Sequence, residues 1–121
     1  MTKLTRAQIG RGVLGIDTTV KSAQGIWRAF APRWEMVMGI KSGKINETQY
    51  TEQYDQILHA VPTNVWDTLA AQPENTLLCF CKSASFCHSH LIIEYAVKHW
   101  PDRFQDERDA QQVPPLFLYR W

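Results

Sequence analysis

Residues 76–100 read TLLCFCKSASFCHSHLIIEYAVKHW, and the change of period inside this stretch decides the fold. The opening TLLCFC is a continuous apolar run, bounded by PEN on one side and KSAS on the other. That pattern predicts a strand buried on both faces, as in the middle of a parallel sheet. From about Phe86 the period lengthens. Leu91, Ile92, Tyr95, Ala96 and Trp100 form one apolar stripe, and His90, Glu94 and Lys98 lie opposite it at i, i+4 and i+8. The spacing predicts an amphipathic helix that Pro101 ends.

Working outward, GVLGIDTTV at 12–20 is rich in β-branched and aliphatic residues and runs into the polar KSAQG, which predicts a first strand and a loop. In APRWEMVMGIKSG at 31–43, Pro32 suits a first helical turn, Trp34, Val37 and Met38 share a face, and Gly43 suits a C-terminal cap. The segment 45–61, INETQYTEQYDQILHAV, offers Asn46 as a cap with Gln49 three residues on. It sets Tyr50, Tyr54, Ile57 and Leu58 on one side of a helix. A shorter helix follows Pro62, with Trp66, Leu69 and Ala70 as its core face. PPLFLYRW at 114–121 predicts a closing strand with both prolines at its start.

The order strand, helices, strand, helix, strand predicts one α/β domain spanning 1–121. It has a mainly parallel sheet of about three or more strands and about four helices. A right-handed crossover through the Leu91 helix would join the strand after Leu77 to the last one. Ligands in such sheets gather at the carboxyl ends of the strands, where TVKSA and KSASFCH would meet.

Composition narrows the functional classes. The 121 residues carry 13 basic and 12 acidic side chains, a formal charge of +1. No long-range field therefore draws the protein to nucleic acid or an anionic membrane. No apolar run approaches the ~20 residues that span a bilayer, and the first residues lack a signal-peptide core. A cytoplasmic protein is the expectation, with its three clustered cysteines kept reduced. The P-loop, the dinucleotide-binding glycine motif, the G-x-S-x-G elbow and H-E-x-x-H are all absent.

Three chemistries compete for the cysteines and histidines of the opening stretch. Zinc is one: Cys79 and Cys81 point to the same face of a strand, and a returning turn would bring Cys87 and His88 to complete four ligands. A reactive thiol or anion site is the second. Cys87 and His88 stand at the start of a helix, where free N–H groups and the dipole favour negative charge, so Cys87 is the nucleophile candidate with His88 beside it. The third reading is that the cysteines fill the core, which suits Cys79 best. Thr18, Thr19, Lys21, Ser22 and Arg28 add hydroxyls and cations of the kind that bind phosphate. Among the aromatic residues, Trp27 and Trp121 fall outside helical core spacing and are the candidates for stacking on a ligand.

The segments LLCFCKSASFCHSHLI, GIDTTVKSA and FAPRWEMVMGIKSGKINETQYTEQY together resemble the small cytoplasmic proteins of domain-of-unknown-function family 488, in the form often carried by bacteriophages. The resemblance implies an α/β fold with a shared pocket and, for a phage-encoded member, the host cytoplasm. Many members follow the Cys–His pair with arginine. This sequence has Ser89 there, so an arginine-dependent anion clamp does not carry over, and His90 or Lys82 are the candidates to replace it.

The leading expectation is a pocket for a phosphate-bearing small molecule, with a nucleotide as the candidate class. Thr19, Lys21, Ser22, Cys81, Lys82, Ser83 and His90 would line it, and Cys87 and His88 would carry any chemistry. The alternatives are a zinc-stabilised binding module, and a host-interaction or defence-countering protein that sequesters a host protein partner or signal nucleotide.

Overall fold

The computed structural model describes residues 1–81, 86–108 and 113. Four strands make one sheet: β1 (Thr2–Gln8), β2 (Ile16–Asp17), β3 (Glu74–Cys79) and β4 (Phe104–Asp106), in the order β2-β3-β1-β4, with every pairing parallel. A 3-10 helix, Gly25–Phe30, and helices α1 (Trp34–Lys41), α2 (Glu47–Ala60) and α3 (Thr63–Ala70) fill the connection from β2 to β3, and α4 (His88–His99) joins β3 to β4. The fold is α/β, as the alternation of elements predicts.

The local signals act as their chemistry dictates. Asn46 caps α2 through a reciprocal box. Its side chain accepts the Gln49 backbone N–H at 2.8 Å, and the Gln49 side chain accepts the Asn46 N–H at 2.9 Å. The face of α2 carrying Tyr50, Tyr54 and Leu58 is buried, as are Val65, Trp66 and Leu69 of α3. Phe30 and Trp66 meet edge to face at 5.0 Å in the centre of this layer, and the Tyr54 hydroxyl donates to the Phe30 carbonyl at 2.5 Å. Each such fully buried apolar side chain contributes about 1.5–3 kcal/mol.

Several expectations are corrected. The strand with the most pairings is β1, over which the sequence carries no clear strand signal. Thr2, Leu4 and Arg6 point inward and Lys3 outward, but a threonine and an arginine on the inner face hide the alternation that marks a half-buried strand. The strand expected over 12–20 shrinks to Ile16–Asp17. Gly12 has a φ of 75°, outside the strand region, and Asp17 folds the chain after it into a turn by accepting from the backbone and hydroxyl of Thr19. The crossover from β3 through α4 leads to β4, which pairs with β1 rather than with β3. The segment proposed as the closing strand, 114–121, lies outside the described residues.

The central strand is not covered on both faces. Leu77 and Cys79 are fully buried, but Leu78 is half-buried and Phe80, just past the strand, is 52% exposed. On α1 the buried residue is Met36, whereas Trp34 and Met38 are 47% and 44% exposed and Val37 is half-buried. That stripe faces a cleft and solvent. Conversely, the polar side of α4 is interior: His90 is fully buried and Glu94 nearly so. Arg108, beyond β4, makes this possible. It pairs with Glu94 and with Asp106 (2.6 Å) and lies 3.1 Å from His90 Nδ1, so the buried charges are matched and hydrogen-bonded.

Candidate active site

At the carboxyl edge of the sheet β3 ends in Cys79, the chain bends outward through Phe80 and Cys81, and it returns at Cys87 to start α4. Cys87 is the N-cap of that helix, with extended backbone angles (φ −157°, ψ 154°). This path brings the three cysteines together: their Sγ atoms all lie within 4.8 Å of one another. Cys79 and Cys87 are buried and Cys81 is half-exposed.

Arg6 reaches this cluster from β1. It is 2% exposed, and its Nη2 donates to Cys79 Sγ and to the Cys81 carbonyl, each at 2.7 Å, while Nε faces Ser89 Oγ at 3.4 Å. Ser89 Oγ is also 3.2 Å from Cys79 Sγ. Hydrogen bonds from the Cys81 and Cys87 thiols, with Ser89 adding to them, hold Cys79 far below the ordinary thiol range. The same bonds, read from the other partners, push Cys81 up, and burial adds to the rise at Cys87. The cluster thus favours one thiolate, located at Cys79 and surrounded by donors. The lowered pKa expected at Cys87 is not what this geometry gives.

His88 is buried, and its desolvation depresses the imidazole pKa, keeping the ring neutral at pH 7. Its Nε2 lies 2.9 Å from the Thr18 carbonyl and 2.8 Å from the Thr18 hydroxyl. A carbonyl can only accept, so Nε2 carries the proton and Nδ1 is the basic nitrogen. Nδ1 faces Cys87 Sγ at 3.5 Å, which gives that thiol an acceptor for its proton. The ring is fixed further by Tyr54, whose centroid is 5.7 Å away.

Above the cluster opens a cleft of about 480 Å³, lined by residues that include Cys81, Cys87, His88, Thr19 and Lys21. Most of its wall is apolar, from Trp34, Val37, Phe80 and Phe86 among others, with the exposed charged residues Lys21, Lys41 and Glu47 at the mouth. Lys21 Nζ sits 5.8 Å over the Trp34 ring. The size and mixture of an apolar body with a few charged groups are those of small-molecule sites.

Of the residues expected to bind a ligand, Thr19, Lys21 and Cys81 therefore line the cleft. Ser22 does not, and its hydroxyl together with that of Thr19 is engaged by Asp17. Burial works against ionisation of Asp17, but these donors outweigh it and hold the carboxyl below its usual range. The loop thus contributes an anion of its own where hydroxyls for phosphate were expected. His90 is packed against Arg108 and lies away from the cleft wall. Lys82 and Ser83 lie outside the described residues, as does Trp121. Trp27 stacks on Phe30 at 6.1 Å and packs against the core.

Three residues of the site escaped the sequence reading. Arg6 had no local signal beyond its place two residues from Leu4. For Asp17 and Trp34 the sequence signals a strand and a core face, and the clue in both cases is a polar or aromatic residue at the carboxyl edge of the sheet.

As a metal set, the three thiols are the group whose ligand atoms converge among the described residues. His88, proposed as a fourth ligand, has Nε2 engaged by Thr18 and only Nδ1 turned toward Cys87. No curated protein and no solved structure matches the chain. The family model DUF488-N3a, described as the active DUF488-N3 subclade, matches residues 8–100, and with most of its length so matched this three-thiol chain belongs to the DUF488-N3a family.

Proposed function

We propose that the cleft binds a small anionic molecule with a flat apolar body, a nucleotide being one class that has both parts, and that the thiol cluster acts on it as a nucleophile. The observation that supports this reading is the position of Cys81. It is the half-exposed member of the cluster and lines the cleft, whereas Cys87, which also lines it, is buried, and Cys79 is buried behind both. Lys21 and Lys41, against the carboxylate of Glu47, supply a net positive charge for the anionic group, and Trp34 and Phe80 supply ring faces. The donors around Cys79, the neighbouring thiols first and Arg6 with them, stabilise negative sulfur at the back of the cluster. The description of the subclade as active fits a site that performs chemistry.

The test is site-specific alkylation with a small anionic reagent such as iodoacetate. Cys81 is expected to be carboxymethylated first at neutral pH, with a rate that saturates with reagent and falls in Lys21→Ala. Labelling that begins at Cys79, or that is indifferent to both lysines, would refute it.

Convergence of the three sulfurs favours one other reading, a zinc held by Cys79, Cys81 and Cys87 with an open fourth position. In that case the purified protein carries about one zinc per chain, and a strong chelator lowers its melting temperature.

A further inference from the structure

A hydrolytic thiol enzyme needs one cysteine, and two more thiols within reach expose it to inactivation by disulfide formation. Here all three Sγ atoms lie within 4.8 Å, inside the range that small side-chain rotations close to a bond. The arrangement is graded from outside to inside. Cys81 is half-exposed on the cleft, Cys87 is 5% exposed at its floor, and Cys79 is fully buried with Arg6 Nη2 at 2.7 Å. An electrophile in the cleft therefore meets Cys81 first, and any group left on Cys81 sits beside two sulfurs that are far less exposed to it.

We infer that this cluster is a dithiol–disulfide centre that reduces a small anionic disulfide bound in the cleft. The inference rests on the proposed function in taking Cys81 as the attacking thiol, and it adds the class of substrate and the fate of the electrons. Cys81 passes its proton to the Cys79 thiolate, with which it shares a hydrogen bond, and its sulfur attacks one sulfur of the substrate. The S–S bond breaks, and the first thiolate leaves with the bonding pair. A mixed disulfide remains on Cys81. A buried thiol of the cluster then attacks Cys81 Sγ and expels the second thiolate, forming a protein disulfide.

The substrate gains two electrons and the cluster loses them. Each proton that leaves a cysteine thiol goes to a departing thiolate or, where that thiolate is too weak a base to hold it, to solvent. Two equivalents of a small thiol, themselves oxidised to a disulfide, return the protein to its starting state.

The environment suits the second step. Arg6 sits against Cys79 Sγ and the Cys81 carbonyl at once, so it holds the two cysteines in register while charge moves between their sulfurs. His88 Nδ1 faces Cys87 Sγ and can receive a proton if that thiol is the one that attacks. The apolar walls with lysines at the mouth fit an aromatic or extended disulfide that carries carboxylate or phosphate.

A suitable probe is the disulfide of thionitrobenzoate, which is aromatic, anionic and releases a coloured thiolate. The fully reduced protein is expected to release about two equivalents of thiolate per chain. Its intact mass should then fall by two hydrogens with no adduct, and peptide mapping should place Cys81 in the new disulfide. In the double variant Cys79→Ser, Cys87→Ser, release stops at about one equivalent and the nitrobenzoate stays on Cys81.

Parent protein that also stops at one equivalent with the adduct retained would overturn the inference while leaving the proposed function standing. If Cys81→Ser releases thiolate as fast as the parent, both fail, since Cys81 is then not the residue that meets the ligand. Far-UV circular dichroism of each reduced variant separates loss of fold from loss of chemistry. Because Cys81→Ser changes a half-exposed side chain, it is the variant expected to keep the fold with least disturbance.

Discussion

Replacing Arg6 with methionine removes the guanidinium while keeping most of the volume of the side chain, and its effects follow from the contacts. Nη2 donates to Cys79 Sγ and to the Cys81 carbonyl at 2.7 Å, and Nε approaches Ser89 Oγ at 3.4 Å. A hydrogen bond to a charged group contributes about 1.5–3 kcal/mol, and a buried acceptor left unmatched costs about 1–3 kcal/mol. A pKa unit corresponds to ~1.36 kcal/mol, so loss of the bond to Cys79 should raise the apparent pKa of the cluster thiolate by about 1–2 units. Stability should fall by roughly 3 kcal/mol, which in a domain of this size lowers the melting temperature by about 10 °C.

The pH dependence has a definite sign. Cys79 titrates lower folded than unfolded, so between the folded value and the unfolded one near ~8.5 the unfolded chain holds the extra proton and stability rises with pH. That contribution is complete above the unfolded value and is lost as pH falls. Cys81 and Cys87, whose pKa values are raised, act in the opposite sense once the unfolded thiols begin to ionise near ~8.5, so the Cys79 contribution is read below about pH 7.5. Thermal melts from acid pH up to about pH 7.5, below the range in which unfolded thiols ionise, should therefore rise with pH for the parent, and the rise should begin at a higher pH for Arg6→Met. Ultraviolet thiolate absorbance followed against pH measures the shift directly. If the variant loses stability but its thiolate titration does not move, Arg6 is only a strut and the electrostatic argument fails.

Three further outcomes are expected. Gly15→Ala should cost more than about 2 kcal/mol in denaturant melts, because a Cβ at that position would collide with the Thr76 carbonyl of β3 and meet the Leu78 side chain; a neutral result would show that β2 can move away. His90 is held down to about 3 by burial and by Arg108, so as pH drops below ~6.5 the unfolded chain takes up a proton that the folded one refuses. Stability is then lost at about 1.4 kcal/mol per pH unit, and His90→Gln should flatten the acid limb relative to the parent. Asn46→Ala breaks the capping box of α2 and should lower stability by ~1 kcal/mol, with thiol reactivity at Cys81 unchanged.

What could be read in the sequence was whatever depended on near neighbours. The Asn46–Gln49 pair, the spacing of Tyr50, Tyr54 and Leu58, and the run ending at Cys79 carry their structural meaning within one or two turns of chain. The cysteine cluster was visible for the same reason, since strand, bend and helix start lie within nine residues of each other. Arg6 was not visible, because its role depends on the pairing of β1 with β3, which places Arg6 opposite Leu77 and beside Cys79. Trp34 misled for a related reason. Its spacing to Val37 and Met38 is that of a core face, but periodicity identifies an apolar face without saying what faces it, and here that is the cleft.

The polar side of α4 shows why a helix this deeply buried can carry Ser89, His90 and Glu94. Two arginines from the other side of the cysteine strand enclose it: Arg6 of β1 meets Ser89 and Cys79, and Arg108 beyond β4 meets His90 and Glu94. Removing either cation would leave buried polar groups without their partner, at a cost of several kcal/mol. An all-apolar helix packed on this sheet would be as stable or more so. The extra polarity lies at the first two turns of α4, directly behind Cys87, and it fixes the rotation and depth of the helix that carries that cysteine. A thiol cluster whose reactivity depends on sulfur separations of a few ångströms needs such a fixed frame, and the paired arginines provide it.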